Sequence, residues 1–231
     1  MNKRFVAVFL LIFLGGCFSY APLTKTQNPV YKDITFDNPS VSIFIQGSSF
    51  LITDVDVKEF VQKKYGTFEK AFINYFPQYL KEYSSAATTY MSEYDNSLLT
   101  EDRIFTFQLE KRTIKIPKRG STVEDKNGKI PDIILILTDI HLDWRGATFH
   151  QNYSTNASIN IYGAMLLWDN KKGNIITYGG FNTFKNISFD GAIGEDDLDN
   201  CLRLLIQDVT YDSPIYNSKK VFTYEDLENM K

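Results

Sequence analysis

The stretch Ile130 to Trp144 does most to limit the fold. From Ile133 to Leu137 both alternating sets of side chains are apolar and rich in β-branched residues, the pattern of a strand covered on its two faces. Beyond Leu137 the pattern alternates. Ile140, Leu142 and Trp144 face one way while Asp139, His141, Asp143 and Arg145 face the other. A chain with such a strand must supply a sheet and material for both sides of it.

The rest of the sequence supplies both. Val41 to Ile45 reads as a short strand, and Thr53 or Asp54 caps a helix that Gly66 stops near Tyr65. Thr67 opens a second helical pattern, with Phe68, Phe72, Tyr75, Phe76, Tyr79 and Tyr83 at three- and four-residue spacing; Pro77 must kink it or begin a new helix. Ile104 to Gln108 and Glu110 to Ile116 form one long or two short strands, followed by a turn-rich segment from Lys118 to Lys129. Ala157 to Trp168, a turn over Asp169 to Asn174, and Ile175 to Gly179 read as a β-hairpin. A final helix starts near Asp190 or Gly194, sets Glu195, Asp196 and Asp197 against its positive end, and buries Leu198, Cys201 or Leu202, Leu205 and Val209. This order predicts an α/β or α+β domain: a single mixed β-sheet packed by helices, with a β-hairpin followed by a C-terminal helix.

At the N-terminus, Lys3 and Arg4 precede an apolar run from Phe5 to Leu14, half the ~20 residues a permanent spanning helix needs. Leu14-Gly15-Gly16-Cys17 resembles the bacterial lipobox. The resemblance implies removal of a signal peptide of residues 1–16, lipid on Cys17, and a lipid-anchored location in the bacterial cell envelope. Phe18 stands where an inner-membrane retention signal would have Asp, so the resemblance implies an outer-membrane lipoprotein, palmitate-bearing, with a periplasmic domain. Residues 17–39, with Pro22, Pro29 and Pro39 among polar residues, then form a tether whose end Tyr31 and Phe36 dock, and 40–231 form one folded domain.

Loss of Lys3 and Arg4 moves the formal charge from -3 to -5, and no basic face for nucleic acid is present. With Cys17 acylated, Cys201 has no partner for an internal disulfide. No His-Glu-x-x-His, Gly-x-Ser-x-Gly or phosphate-loop pattern occurs, and no cofactor or metal is assigned.

Three groups remain as candidate sites. Asp139, His141 and Asp143, with Arg145, lie along one strand face at ~6.6 Å intervals, where His141 could act as a base or metal ligand beside a carboxylate; a solvated sheet end explains the same pattern. His150 could return toward them. Tyr75, Tyr79 and Tyr83 form either helix core or an exposed recognition face. Cys201 sits among core positions of the last helix. A second resemblance covers residues 130–210: Pro131-Asp132-Ile133-Ile134-Leu135, then Ala164 to Asp169 with Gly173, then Ile175 to Gly180, and the acidic-capped helix are similar to the curli-secretion-pore, Tol N-terminal and penicillin-binding-protein-activator type of envelope lipoprotein. The chain departs from it in lacking long amphipathic segments for a pore and in its Tyr-rich stretch from 65 to 94. The resemblance implies an envelope interaction domain with an envelope protein partner; with no catalytic motif present and with the membrane contact through Cys17 that the lipobox resemblance implies, the chain reads as a non-enzymatic protein-binding or assembly subunit. A lipid-anchored hydrolase using His141 with Asp139 or Asp143, and a purely structural lipoprotein, are the alternatives.

Overall fold

The structure is a computed structural model that describes residues 25–47, 50–107, 109–145, 148–150, 153–155, 157–187, 195–223 and 225–226. The central strand carries a mixed sheet. Strands β1 (Lys25–Gln27), β2 (Ser40–Ile45), β3 (Phe50–Ile52) and β4 (Thr88–Met91) join β7 (Ile133–Arg145), β10 (Ser158–Asp169) and β11 (Asn174–Asn186) in the order β1-β11-β10-β7-β2-β4. β2 lies parallel to Val41–Ile45's partners Ile133 to Leu137, and β3 continues along the same edge of β7 opposite Ile140 to Leu142. Two further pairs stand outside this sheet, β5 (Glu101–Phe107) with β6 (Glu110–Ile116), and β8 (Thr148–His150) with β9 (Tyr153–Thr155). The sequence pattern shows each strand of the β5–β6 hairpin but not that the hairpin leaves the main sheet and lies across it.

Helices α1 (Val55–Tyr65), α2 (Phe68–Tyr83) and α3 (Glu195–Thr210) cover one face. Asp54 caps α1 by accepting from the N–H groups of Asp56 and Val57, Gly66 ends it at φ 80°, and Thr67 caps α2 by accepting from Lys70 N–H. α2 runs through Pro77 without ending there. Beneath the helices, Phe72, Phe76, Leu80, Leu135, Leu137, Leu202 and Leu205 are fully buried together with Ile140 and Leu142. The opposite, outer face has its own core. Ile134, Ile136, Ala164, Leu166, Trp168 and Ile175 pack there against Ile114 and Ile116 of β6, with Tyr94, Leu99 and Val123. The two-sided apolar run of β7 thus meets helices on one side and a hairpin on the other.

At the middle of β7 the apolar side changes phase, from odd positions through Leu137 to even positions from Ile140. Asp139 takes up the extra residue with φ 51°, and the register with β10 shifts between Tyr162 and Ala164. Gly163 faces this bulge. A Cβ there would stand 2.8 Å from the Asp139 carbonyl oxygen and 2.6 Å from the Phe181 ring, so only a residue without one fits.

Residues 25–39 correct the expected tether. β1 pairs with β11 through Lys25–Gly179 to Gln27–Thr177; Tyr31 is buried and its hydroxyl donates to Asp169 Oδ2 at 2.9 Å; the Phe36 N–H donates to Pro214 O at 3.1 Å. The segment has no periodicity of its own because, apart from a tight turn at Pro29–Tyr31, most of its hydrogen bonds go to residues more than a hundred positions away. The Asp169 to Gly173 turn is a structural junction: Asn170 Nδ2 donates to Val123 O and Pro131 O, and its Oδ1 accepts from Val123 N–H.

The description of the molecule as a membrane lipoprotein, with signal peptide, outer-membrane and palmitate character, is corrected for this folded body. Among the described residues no helix is long and apolar enough to cross a membrane. Everything that pointed to a membrane lies in Lys3 to Phe18, Cys17 included, outside the described residues.

Candidate functional site

On the outer face beyond the Asp139–Gly163 bulge, the apolar lining gives way to polar side chains. His141 of β7 stands opposite Tyr162 of β10, which stands opposite Asn182 of β11; in the next row Asp143, Asn160 and Phe184 occupy the same three strands. The His141 and Tyr162 rings stack at 4.8 Å with 16° between their planes. Burial, and then the neighbouring Arg112 guanidinium, push the His141 imidazole below its ordinary pKa, so it is neutral at pH 7.

The surrounding charges are partly spent. Arg112, on β6, bridges Asp139 Oδ2 at 3.1 Å and Glu110 Oε2 at 2.6 Å. Asp143 accepts from the Thr53 hydroxyl at 2.6 Å and the Trp144 N–H at 2.9 Å, both through Oδ1, and makes no ion pair among the described residues. Of nine enclosed side-chain polar atoms without a hydrogen-bond partner among the described residues, four fall in this neighbourhood: His141 Nδ1, Asn160 Oδ1, Asn182 Oδ1 and Arg112 Nε. Asn160 is only 3% exposed. An unmade hydrogen bond at a buried polar atom costs about 1–3 kcal/mol, so such a concentration marks a place held at the expense of stability.

This geometry bears on the chemistry open to His141. A general base needs an orienting partner, and neither Asp139, held by Arg112, nor Asp143, held by Thr53, is hydrogen-bonded to the ring. Among the described residues no group of three or more His, Cys, Asp and Glu side chains is placed to hold a metal ion. The side chains of Arg145 and His150 lie outside what the structure describes.

The tyrosines of α2 fall elsewhere. Tyr79 is buried at the seam between α2 and α3, where its hydroxyl donates to Asp199 and the Arg203 guanidinium lies 4.8 Å from its ring. Arg203 also bonds Asp199 at 2.8 Å and donates to the Tyr83 hydroxyl at 2.7 Å, and Tyr83 packs on Phe222. Tyr75, stacked on Tyr79, is the most open of the three at 36%. Of the two readings, helix core holds for Tyr79 and Tyr83, whose polar rims are consumed by α3, while Tyr75 stays exposed beside them. Cys201 is fully buried, its thiol pKa raised by that burial, with Sγ against the carbonyls of Ile159 and Thr183.

Asn160, Asn182, Thr53 and Arg112 were not singled out by the sequence. A signal was there for one of them: Asn is depleted from strands, and Asn160 interrupts the apolar run between Ile159 and Ile161. Asn182 lies past Gly179, where the hairpin pattern was read as ending although β11 continues to Asn186. In comparison with known proteins, no family model matches the chain and no curated protein matches it either.

Proposed function

We propose that this chain is a non-enzymatic protein-binding subunit whose recognition surface is the polar half of the outer sheet face. The observation that supports this reading is the row His141–Tyr162–Asn182 with Asn160 beside it, in which three polar atoms, two of them carboxamide oxygens, are enclosed and unpaired while the adjoining half of the same face is covered by a hairpin. Such groups are stabilised when a partner supplies donors, and unfilled polar positions are a usual mark of recognition surfaces. A location at the bacterial envelope, with Cys17 as the point of attachment, is part of the proposal and rests on Leu14 to Cys17 alone.

A photo-crosslinking residue at Asn186, exposed and next along β11, tests the surface in living cells. One dominant protein adduct at Asn186, and none from the same residue placed at the exposed Tyr211 near the end of α3, is expected. Equal yields from both positions would sink the surface assignment. Hydrolysis of an envelope ester or amide by the purified chain, lost in H141A, would replace the binding reading with the hydrolase one. Release of the protein from envelope membranes by C17S is expected; retention would remove Cys17 from the proposal.

A further inference from the structure

The polar half-face carries a specific chemical demand. Asn160 Oδ1 and Asn182 Oδ1 only accept and need donors, and the unpartnered His141 Nδ1 offers itself either as an acceptor or as an N–H in a neutral imidazole. They surround the Tyr162 position on three adjacent strands, about 5 Å apart from strand to strand and about 7 Å along a strand. Among the described side chains the charge around them is negative: Asp139, Asp143 and Glu110 stand against Arg112, which already serves two of the three carboxylates. Among the described residues Asp143 has no cation, and its bonds from Thr53 and Trp144 both fall on Oδ1.

Resting on the protein-binding reading above, we infer that the partner inserts a basic side chain, a guanidinium in the first place, between Asp143, Asn160 and Asn182. A guanidinium has five N–H donors in one plane, enough to serve a carboxylate and two carboxamide oxygens together, and it is the cation that leaves water most readily. Its flat face matches the stacked rings of His141 and Tyr162. Because these atoms are enclosed, the entering side chain displaces what lies over them, and the terminal torsions of Asn and His, which are broad, turn the polar atoms toward it. Binding then supplies partners to acceptors that the free protein leaves unmade, so the unfavourable state of the free surface becomes part of the affinity. An anionic or acceptor-only ligand gains none of this.

The test titrates the purified chain with N-acetyl-arginine amide, following the side-chain NMR signals of Asn160, Asn182 and His141, with N-acetyl-citrulline amide as the uncharged analogue and N-acetylglucosamine as a polyhydroxyl ligand. Saturable shifts at all three residues with the arginine probe are expected, with affinity reduced about tenfold or more by citrulline or by D143N, as for loss of a charge-assisted hydrogen bond. N160L is expected to abolish the shifts at Asn182 and His141 while keeping the wild-type circular dichroism, which separates lost binding from lost folding. Equal binding of citrulline, or no saturable shift with arginine, overturns the inference; so does a response to N-acetylglucosamine alone, which would assign the face to a glycan. A protein adduct at Asn186 with an inert arginine probe would overturn the basic side chain and leave the protein-binding reading standing.

Discussion

The outer face of the sheet is two surfaces joined at a bulge. On one side of Asp139 and Gly163, Ile134, Ile136, Leu166 and Trp168 are enclosed by the β5–β6 hairpin with Tyr94, Leu99 and Val123; on the other, His141, Asp143, Asn160 and Asn182 project from the same three strands with three enclosed, unpaired polar atoms. The strands and hydrogen-bond ladders are shared, so backbone preference does not separate the halves. What covers each half does. Where the hairpin lies, the sheet side chains are apolar and, among those described, only the Trp168 Nε1 is left without a partner; where it stops, the chain keeps several polar residues that weaken the fold unless something else meets them.

The sharpest way to break this comparison is to put the chemistry of one half into the other. Ile136→Asp places an unpaired carboxylate in the covered half, and a loss of about 3–5 kcal/mol, measured as a collapse of the urea midpoint, is expected. A midpoint unchanged from wild type would mean that the hairpin does not seal this half.

The helix-covered face offers a second contrast, since its buried charge has partners. Lys25 Nζ donates to the Asp208 and Tyr211 carbonyls, and Asp208 accepts from the Thr183 hydroxyl. Burial nonetheless lowers Lys25 to about 8 and raises Asp208 to about 6. Between about pH 8 and 10.5 the unfolded chain binds the Lys25 proton more tightly, so stability rises with pH across that window. Between about pH 4 and 6 the folded Asp208 holds its proton and stability falls as pH rises. The Lys25 limb is worth on the order of 2–3 kcal/mol. Read between about pH 8 and 9, before most tyrosines ionise, the slope should vanish in K25M; a persistent slope would place it on another group.

Gly163→Ala tests the boundary itself. The added methyl meets the Asp139 carbonyl and the Phe181 ring, and a loss of about 2 kcal/mol is expected from overpacking against backbone, with crosslinking at Asn186 reduced as the two halves lose register. Wild-type stability would show that the bulge can relax.

The smallest effect has the opposite sign. Asn160→Leu removes an enclosed, unpaired acceptor, and a gain of about 1 kcal/mol in denaturant stability is expected along with loss of partner capture. A destabilised variant would show that the carboxamide is satisfied in solution and that the polar half is ordinary structure.

Much of the fold was legible because its signals are local. The run Ile133 to Leu137, the Asp169 to Asn174 turn, the caps at Asp54 and Thr67 and the apolar stripe from Leu198 to Val209 each lie within one element. The candidate site was legible only in its β7 row. Asp139, His141 and Asp143 stood out by alternation, but their meaning depends on Asn160 and Asn182, brought alongside by strand pairing over tens of residues. The switch of apolar positions from odd at Leu137 to even at Ile140 was a visible sign of the bulge. Nothing comparable marked β1 or β3, three-residue strands whose pairing is wholly non-local, nor the withdrawal of β5 and β6 from the sheet. Tyr79 shows the reverse limit: a helical aromatic stripe looks the same whether water or α3 lies over it.

β1 also has a consequence for self-association. It shields one side of β11 over Thr177 to Gly179, near the middle of a thirteen-residue strand, and it comes from the part of the chain that composition marks as a mere linker. A fragment beginning at residue 40 would keep every long strand yet expose that row of amide and carbonyl groups, a template on which the same strand of another copy could pair. Shortening the N-terminal side to the apparent start of the domain is therefore expected to promote edge-to-edge aggregation.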